Sequence, residues 1–338
     1  MNFATDYTLL AEVTRGDIVE SVHFGSIAVV DYTGKIVASA GNPELVTFLR
    51  SSAKPIQVLP LLVKDLPYDF SAKEIAVMCA SHSGTVEHTQ TVAGILQKIG
   101  LDEGYLSCGT HEPFDRKTAL WLKQEGLEPS PLYNNCSGKH AGMLALAKVS
   151  GYPLTGYEKI DHPVQQEILK FIADFTEVSP ENIKIGIDGC GVPVFAVPLK
   201  NGALAFAKLS RPDLFSGKLK EAVKTVLHSM NAYPVMVAGT GRFDTDLMGS
   251  FPGRFVSKIG AEAVQIVGIL NKGIAVAVKV ADGNARALGA ITLEALRQLG
   301  FIGDEELKKL ATHYRPVIKN HKKEMVGEIK ANFTLTIH

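Results

Sequence analysis

Arg50-Ser51-Ser52-Ala53-Lys54-Pro55 sets a hydroxyl and an amine three residues apart where a helix should begin. Positions i and i+3 share a helix face, so Ser51 Oγ and Lys54 Nζ can come within hydrogen-bond reach. A lysine whose pKa is lowered by burial and neighbouring cations can take the serine proton and activate the oxygen for attack on a carbonyl. That is the chemistry of Ser-x-x-Lys acyl transfer. A chain of this length holds about one Ser-x-x-Lys by chance, so the motif needs support from elsewhere.

Two stretches offer it. Ala80-Ser81-His82-Ser83-Gly84 has the composition of an ordinary Ser/Gly turn. Ser257-Lys258-Ile259-Gly260 ends a predicted strand and parallels the Lys-Thr-Gly strand of penicillin-recognising enzymes, with Ile for Thr. Each is weak alone. Their order after Ser-x-x-Lys is moderately specific.

The most specific stretch is Asn134-Asn135-Cys136-Ser137-Gly138-Lys139-His140-Ala141-Gly142. Small and polar residues open a helix there, and first-turn N–H groups can hold an anion or a developing oxyanion. A well-capped surface helix does not account for Cys, Lys and His together. Ile187-Asp188-Gly189-Cys190-Gly191 ends an apolar strand with an acid and a thiol in a glycine turn. Asp188 is either a turn-former or a partner for an ammonium group. Cys79, Cys108, Cys136 and Cys190 lack a Cys-x-x-Cys pair, which indicates free thiols or metal ligands. Gly239-Thr240-Gly241-Arg242 is a glycine-rich turn without the helix start of a dinucleotide site, and Walker and His-Glu-x-x-His motifs are absent. His88 and His162, on predicted helices, read as surface or capping residues.

The elements that must position these groups are strands at both ends and helices between. Strands are expected at 9–13, 26–30, 35–38, 255–258, 264–267, 274–278 and 332–336. Helices are expected after Ser51, from Ser71 (a capping box with Glu74), and at about 86–98, 117–125, 139–149, 163–176, 218–230 and 285–298. Pro60 should end or kink the first of these. The expected plan is α+β: one antiparallel sheet built from both termini, with an inserted helical lobe. One catalytic domain is expected, with a sheet lobe of residues 1–50 plus 235–338 and a mainly helical lobe of 51–234.

The 338 residues are 46% apolar, with 35 Lys and Arg balancing 35 Asp and Glu. Zero net charge argues against nucleic acid or an anionic membrane as partner. The Met1–Asp6 stretch lacks a basic region followed by an apolar run, and no apolar stretch reaches membrane-span length, so a soluble cytoplasmic protein is expected.

With Ser107-Cys108-Gly109-Thr110-His111 added to these motifs, the chain resembles the Rhizobium etli type L-asparaginases, often grouped as asparaginase II. The resemblance runs from about Leu10 to Leu296 and is carried most specifically by Cys136–Gly142. It implies a fold akin to serine β-lactamases, penicillin-binding proteins and serine glutaminases, and a homodimer. It implies two Ser–Lys tandems, Ser51 with Lys54 and Ser83 with Lys258. It also implies a zinc site of Cys136, Lys139 and Cys190, with Asp188 beside substrate and metal. On this reading Lys54 deprotonates Ser51, which attacks the side-chain amide of L-asparagine, and Lys258 with Ser83 passes a proton to departing ammonia. Asp188 holds the α-ammonium, and the α-carboxylate falls to Arg50 or to the helix start with Asn134 and His140. Zinc organises the pocket rather than supplying the Lewis acid. The alternatives are another Ser–Lys amidohydrolase on this fold (glutaminase, peptidase or β-lactam hydrolase) or a non-catalytic amino-acid-binding protein.

Overall fold

The computed structural model describes residues 6–338; residues 1–5, most of the stretch inspected for a leader, lie outside them. Two compact units form. One gathers the described residues up to Ser52, Val197–Ser210 and Ser257–His338, and the other Ala53–Ala196 and Arg211–Val256.

The first unit is built on a nine-stranded sheet. Its strands are β1 (Thr8–Arg15), β2 (Ile18–Asp31), β3 (Ile36–Ala40), β4 (Phe255–Gly260), β5 (Val264–Ile269), β6 (Ile274–Val280), β7 (Val317–Lys319), β8 (Met325–Ala331) and β9 (Thr336–Ile337). They run in the order β7-β8-β1-β2-β6-β5-β4, with β3 on β2 and β9 on β3. The pairs β1–β8, β1–β2, β2–β3, β2–β6, β5–β6, β7–β8 and β3–β9 are antiparallel. A turn at Asp31–Gly34 joins β2 to β3, its Asp31 carboxylate accepting from the Thr33 and Lys35 N–H groups. Ile27, Ala28, Val29 and Val30 are all buried, so both faces of the second half of β2 are covered. Helices Leu199–Leu209 and Leu288–Gln298 pack on this sheet.

In the second unit helix Ser137–Ser150 is the centre. Every residue from Ser137 to Ala147 is buried, the pattern of a helix enclosed on all sides. Helices Leu59–Leu62, Ala72–Met78, Val86–Lys98 and Pro163–Thr176 enclose it. Local chemistry places them as expected. Ser71 and Glu74 close a capping box, and Pro60 starts a new turn after helix Lys54–Gln57 has ended. His162 is an N-cap, and His88 completes a capping box with Thr85 while lying fully buried.

Two expectations differ from the structure. The stretch 332–336 is mostly the connection between β8 and β9. The longer strand is Met325–Ala331, which alternates charged with small or apolar residues and buries only Gly327 and Ile329. The boundary between units also falls elsewhere than drawn from sequence. Helix Leu199–Leu209 belongs with the sheet, its apolar side packed on β2, β5 and β6, while 235–256 belongs with the helices.

A Cβ on Gly138 would lie 2.1 Å from the Val77 carbonyl oxygen, whereas one on Gly94, also helical, meets nothing. Gly138→Ala should therefore destabilise by about 1–3 kcal/mol. Gly94→Ala should stabilise by about 0.5–1 kcal/mol. Urea unfolding of both variants checks the contrast, and equal midpoints would contradict this packing.

Candidate active site

The helical unit buries two amines and two thiols in one cluster. Lys54 is 0% exposed at the start of its short helix. Its Nζ donates to the Ala80 carbonyl and lies 3.1 Å from Ser81 Oγ and 3.2 Å from Cys136 Sγ. Lys139, in the first turn of the central helix, donates to Cys190 Sγ at 3.0 Å.

Their protons are distributed unevenly. The hydrogen bond from Cys136 is the main cause that lowers Cys190 to about 5, against burial and with help from Lys139. The same bond, then burial, pushes Cys136 up to about 12. Burial presses the Lys139 amine down, but Cys190, Cys136 and Asp188 together lift it above its usual value. Burial lowers the Lys54 pKa; Cys136 opposes this and the Lys139 charge reinforces it. The arrangement is an ammonium–thiolate pair, Lys139 with Cys190, beside a thiol and an amine that burial drives toward neutrality.

Cys136, Cys190 and Lys139 also make a donor set of the kind that suits a soft divalent metal. One thiol is already ionised, and binding would displace the protons of Cys136 and Lys139. Among the described residues no three His, Cys, Asp or Glu side chains gather as a metal group; with two thiols, the third donor of such a set would be the lysine amine.

Other expected site residues have defined surroundings. Asp188 is half-buried in the turn after strand Lys184–Ile187, its Oδ1 accepting from the Gly189 N–H. Asn134 donates to the Cys108 and Gly109 carbonyls and accepts from the Cys136 N–H, a brace for the helix start. His140 lies fully buried, its Nδ1 2.8 Å from Tyr157 Oη. Tyr157 Oη also accepts from the Ser107 N–H, so it ties the 107–111 loop to the central helix. Ser83 donates to the Ala238 carbonyl, and a Cβ on Gly239 would lie 2.2 Å from Ser83 Oγ. Only a glycine, here at φ 132°, lets that chain approach.

The remaining expected residues belong to the sheet unit. Ser51 is 9% exposed, and Lys258, fully buried on β4, donates to the Ile259 carbonyl. A Cβ on Gly260 would lie 2.6 Å from the Leu49 carbonyl and 3.2 Å from Arg50 Cβ, so the Lys-x-Gly strand end packs on the residues just before Ser51. Arg50 itself is left-handed, at φ 50°. Backbone strain of this kind clusters at functional sites.

Three residues were not foreseen. Ser81, two positions before Ser83 in the flagged serine turn, is the hydroxyl beside the Lys54 amine. His82 accepts from the Gly84 N–H at Nδ1, so its Nε2–H donates to Ser137 Oγ and fixes the loop to the central helix. Tyr157 carries no local sequence signal.

The L-asparaginase II family matches residues 11–331. No curated protein matches the chain in sequence. Among solved structures, Mglu in its native form is 13% identical, with a TM-score of 0.42 over 84% of this chain and 66% of that one. Mglu in its glutamate form is 11% identical, with a TM-score of 0.45 over 87% and 62%. The chain thus spans slightly under two thirds of either Mglu chain. A β-lactamase from Mycobacterium bovis is 14% identical, with a TM-score of 0.45 over 80% and 93%.

Burial, with the His88 ring and Lys54 adding to it, holds His82 well below the usual histidine value, so it is neutral in the folded protein. Unfolding lets it take a proton below about pH 6.5. Its contribution to stability is whole above that pH and is lost as pH falls toward the lowered folded value. Unfolding free energies of wild type and His82→Gln across pH 4–8 should diverge in slope by up to about 1.4 kcal/mol per pH unit. Parallel acid limbs would show His82 to be charged when folded.

Proposed function

Because the chain belongs to the L-asparaginase II family, a family of amidohydrolases, we propose that it hydrolyses L-asparagine to L-aspartate and ammonia by the Ser–Lys chemistry of the Rhizobium etli type. The observation that carries this reading is the Lys54 amine, fully buried and lowered in pKa, three residues after Ser51. Arg50–Ala53 is a 3₁₀ turn that runs directly into helix Lys54–Gln57, whose Lys54 amine bonds to the Ala80 carbonyl, Ser81 Oγ and Cys136 Sγ. A neutral amine there is a general base for the serine hydroxyl.

In the first step Ser51 Oγ bonds to the side-chain amide carbon while its proton passes to Lys54. The C–N bond then breaks as the proton taken by Lys54 is relayed to the leaving nitrogen, ammonia departs, Lys54 is again the free base, and an ester to Ser51 remains. Water attacks that ester and gives a proton to Lys54, which returns it to Ser51 Oγ as the ester bond breaks and aspartate is released. Lys258 and Ser83 are assigned the leaving-group proton from the family resemblance. The ammonium–thiolate pair sets a fixed charge pattern with Asp188, which is assigned to the substrate α-ammonium. Zinc held by Cys136, Lys139 and Cys190 would supply a fixed positive charge to that pattern. A homodimer, a cytoplasmic location and a serine β-lactamase-like fold belong to the same reading. An antiparallel sheet from both chain ends, with a separate helical unit, supports that fold. Among the described residues no helix is long and apolar enough to cross a membrane.

Ammonia release from L-asparagine and L-glutamine by wild type, Ser51→Ala and Lys54→Met tests the reaction. Wild type should release ammonia from asparagine, and Lys54→Met should lose roughly a hundredfold to ten-thousandfold in kcat. Turnover of glutamine alone would move the substrate assignment, and full activity in Lys54→Met would remove lysine from the base role. Cys136→Ser with Cys190→Ser should bring the zinc content of metal-reconstituted protein to background by elemental analysis, and raise KM more than it lowers kcat. Unchanged metal content in that variant would refute the zinc site.

A further inference from the structure

The turn Gly239-Thr240-Gly241-Arg242 has no part in the reaction as described, yet the fold presses it against a tandem serine. Within the helical unit a cleft of about 400 Å³ is lined by Ser83, Phe114, Asp115, Arg116, Thr240 and Arg242. The chain leading to Thr240 is held by two constraints at Gly239: a positive φ, and an approach to Ser83 Oγ that no larger residue permits. Gly241, at φ 72°, turns the chain again, and Arg242 becomes the N-cap residue of helix Phe243–Ser250.

Arg242 is held in place but not satisfied. Its Nη1 donates to the Ser81 carbonyl at 3.1 Å, and its guanidinium carbon lies 5.6 Å from the centre of the Phe114 ring. Among the described residues no carboxylate lies within ion-pair distance of it, although Asp244 acts on it from further off. A guanidinium has five N–H donors in a planar fork, and one hydrogen bond leaves most of that fork for a ligand. Asp115, the acid in the same cleft, is committed elsewhere: its Oδ2 accepts from the Thr118 N–H and hydroxyl and caps helix Arg116–Gln124. Two arginines and two hydroxyls then face one engaged carboxylate, a cleft suited to a small planar anion.

We propose that Arg242 anchors the α-carboxylate of the amino-acid substrate in this cleft, with Thr240 beside it, and so restricts the enzyme to amides that carry a free α-carboxylate. The inference rests on the proposed reaction and deepens it by naming the substrate class. It moves the carboxylate from Arg50 and the Asn134–His140 helix start to a residue whose fork is positioned by Ser81 and Phe114.

The test compares ammonia release from L-asparagine and from β-alaninamide, which is asparagine without its α-carboxylate, by wild type, Arg242→Gln, Arg242→Lys and Arg50→Gln. Arg242→Gln should raise KM for asparagine roughly tenfold to a hundredfold and affect β-alaninamide turnover far less, because the loss of the Ser81 bond falls on both substrates but the charged contact is lost on asparagine alone. Arg242→Lys should fall between, since it keeps the charge without the fork. An unchanged KM for asparagine, an equal loss on both substrates, or discrimination that disappears in Arg50→Gln instead would overturn the anchor and leave the reaction standing. If wild type releases no ammonia from asparagine, calorimetric titration with L-aspartate decides separately. Binding that Arg242→Gln weakens keeps the anchor while the reaction falls, and absence of binding to wild type overturns both.

Discussion

Two lysine amines and two cysteine thiols are buried together, and a protein interior does not tolerate unbalanced charge. The solution is a division of protons: Lys139 and Cys190 form the charged pair, Cys136 stays a thiol, and Lys54 is driven toward the free amine. A lone buried ammonium would be costly unless paired, and the nearest charge to Lys54 that could pair it is already engaged. The lowered proton affinity of Lys54 is thus set by burial first and by its neighbours second. Any change that ionises Cys136 or neutralises Lys139 alters the proton affinity of Lys54 without touching it.

That electrostatic arrangement depends in turn on one enclosed helix. Ser137–Ser150 brings Lys139 to the cluster and His140 to Tyr157 from the same first turn, and Gly138 lets it lie against helix Ala72–Met78. The loop after that helix supplies the Ala80 carbonyl, Ser81, His82 and Ser83 in four consecutive residues. His82 locks the loop to Ser137, so the groups facing Lys54 and those facing Gly239 are held by one imidazole in one tautomer.

What was legible in the sequence follows a physical division. Elements governed by local chemistry were readable: the capping box at Ser71, the break at Pro60, and the β-branched runs of the central strands. The clustering of Cys136, Lys139 and Cys190 was readable only through family resemblance, since 51 residues separate Lys139 from its thiolate partner. Ser81 was hidden because two serines in one turn differ only in which way the backbone points them. Tyr157 and the Arg242–Phe114 contact were hidden for a deeper reason: each joins distant loops through a single side chain, and neither end has a pattern. The strand Met325–Ala331 was missed because its charged residues obscure a two-residue buried stripe.

The sheet unit carries one more consequence. β1 and β8 pair in the register Ala11 with Ala331, so a strand made early takes its neighbour from residues made long after it. During translation the β1–β2 hairpin must wait with that edge unpaired while the helical unit, Ala53–Ala196 with Arg211–Val256, emerges. Unpaired strand edges invite association with other chains. High sequence separation between paired strands also slows folding, so this topology commits the nascent chain to a long interval in which a partly formed sheet depends on its solubilising environment.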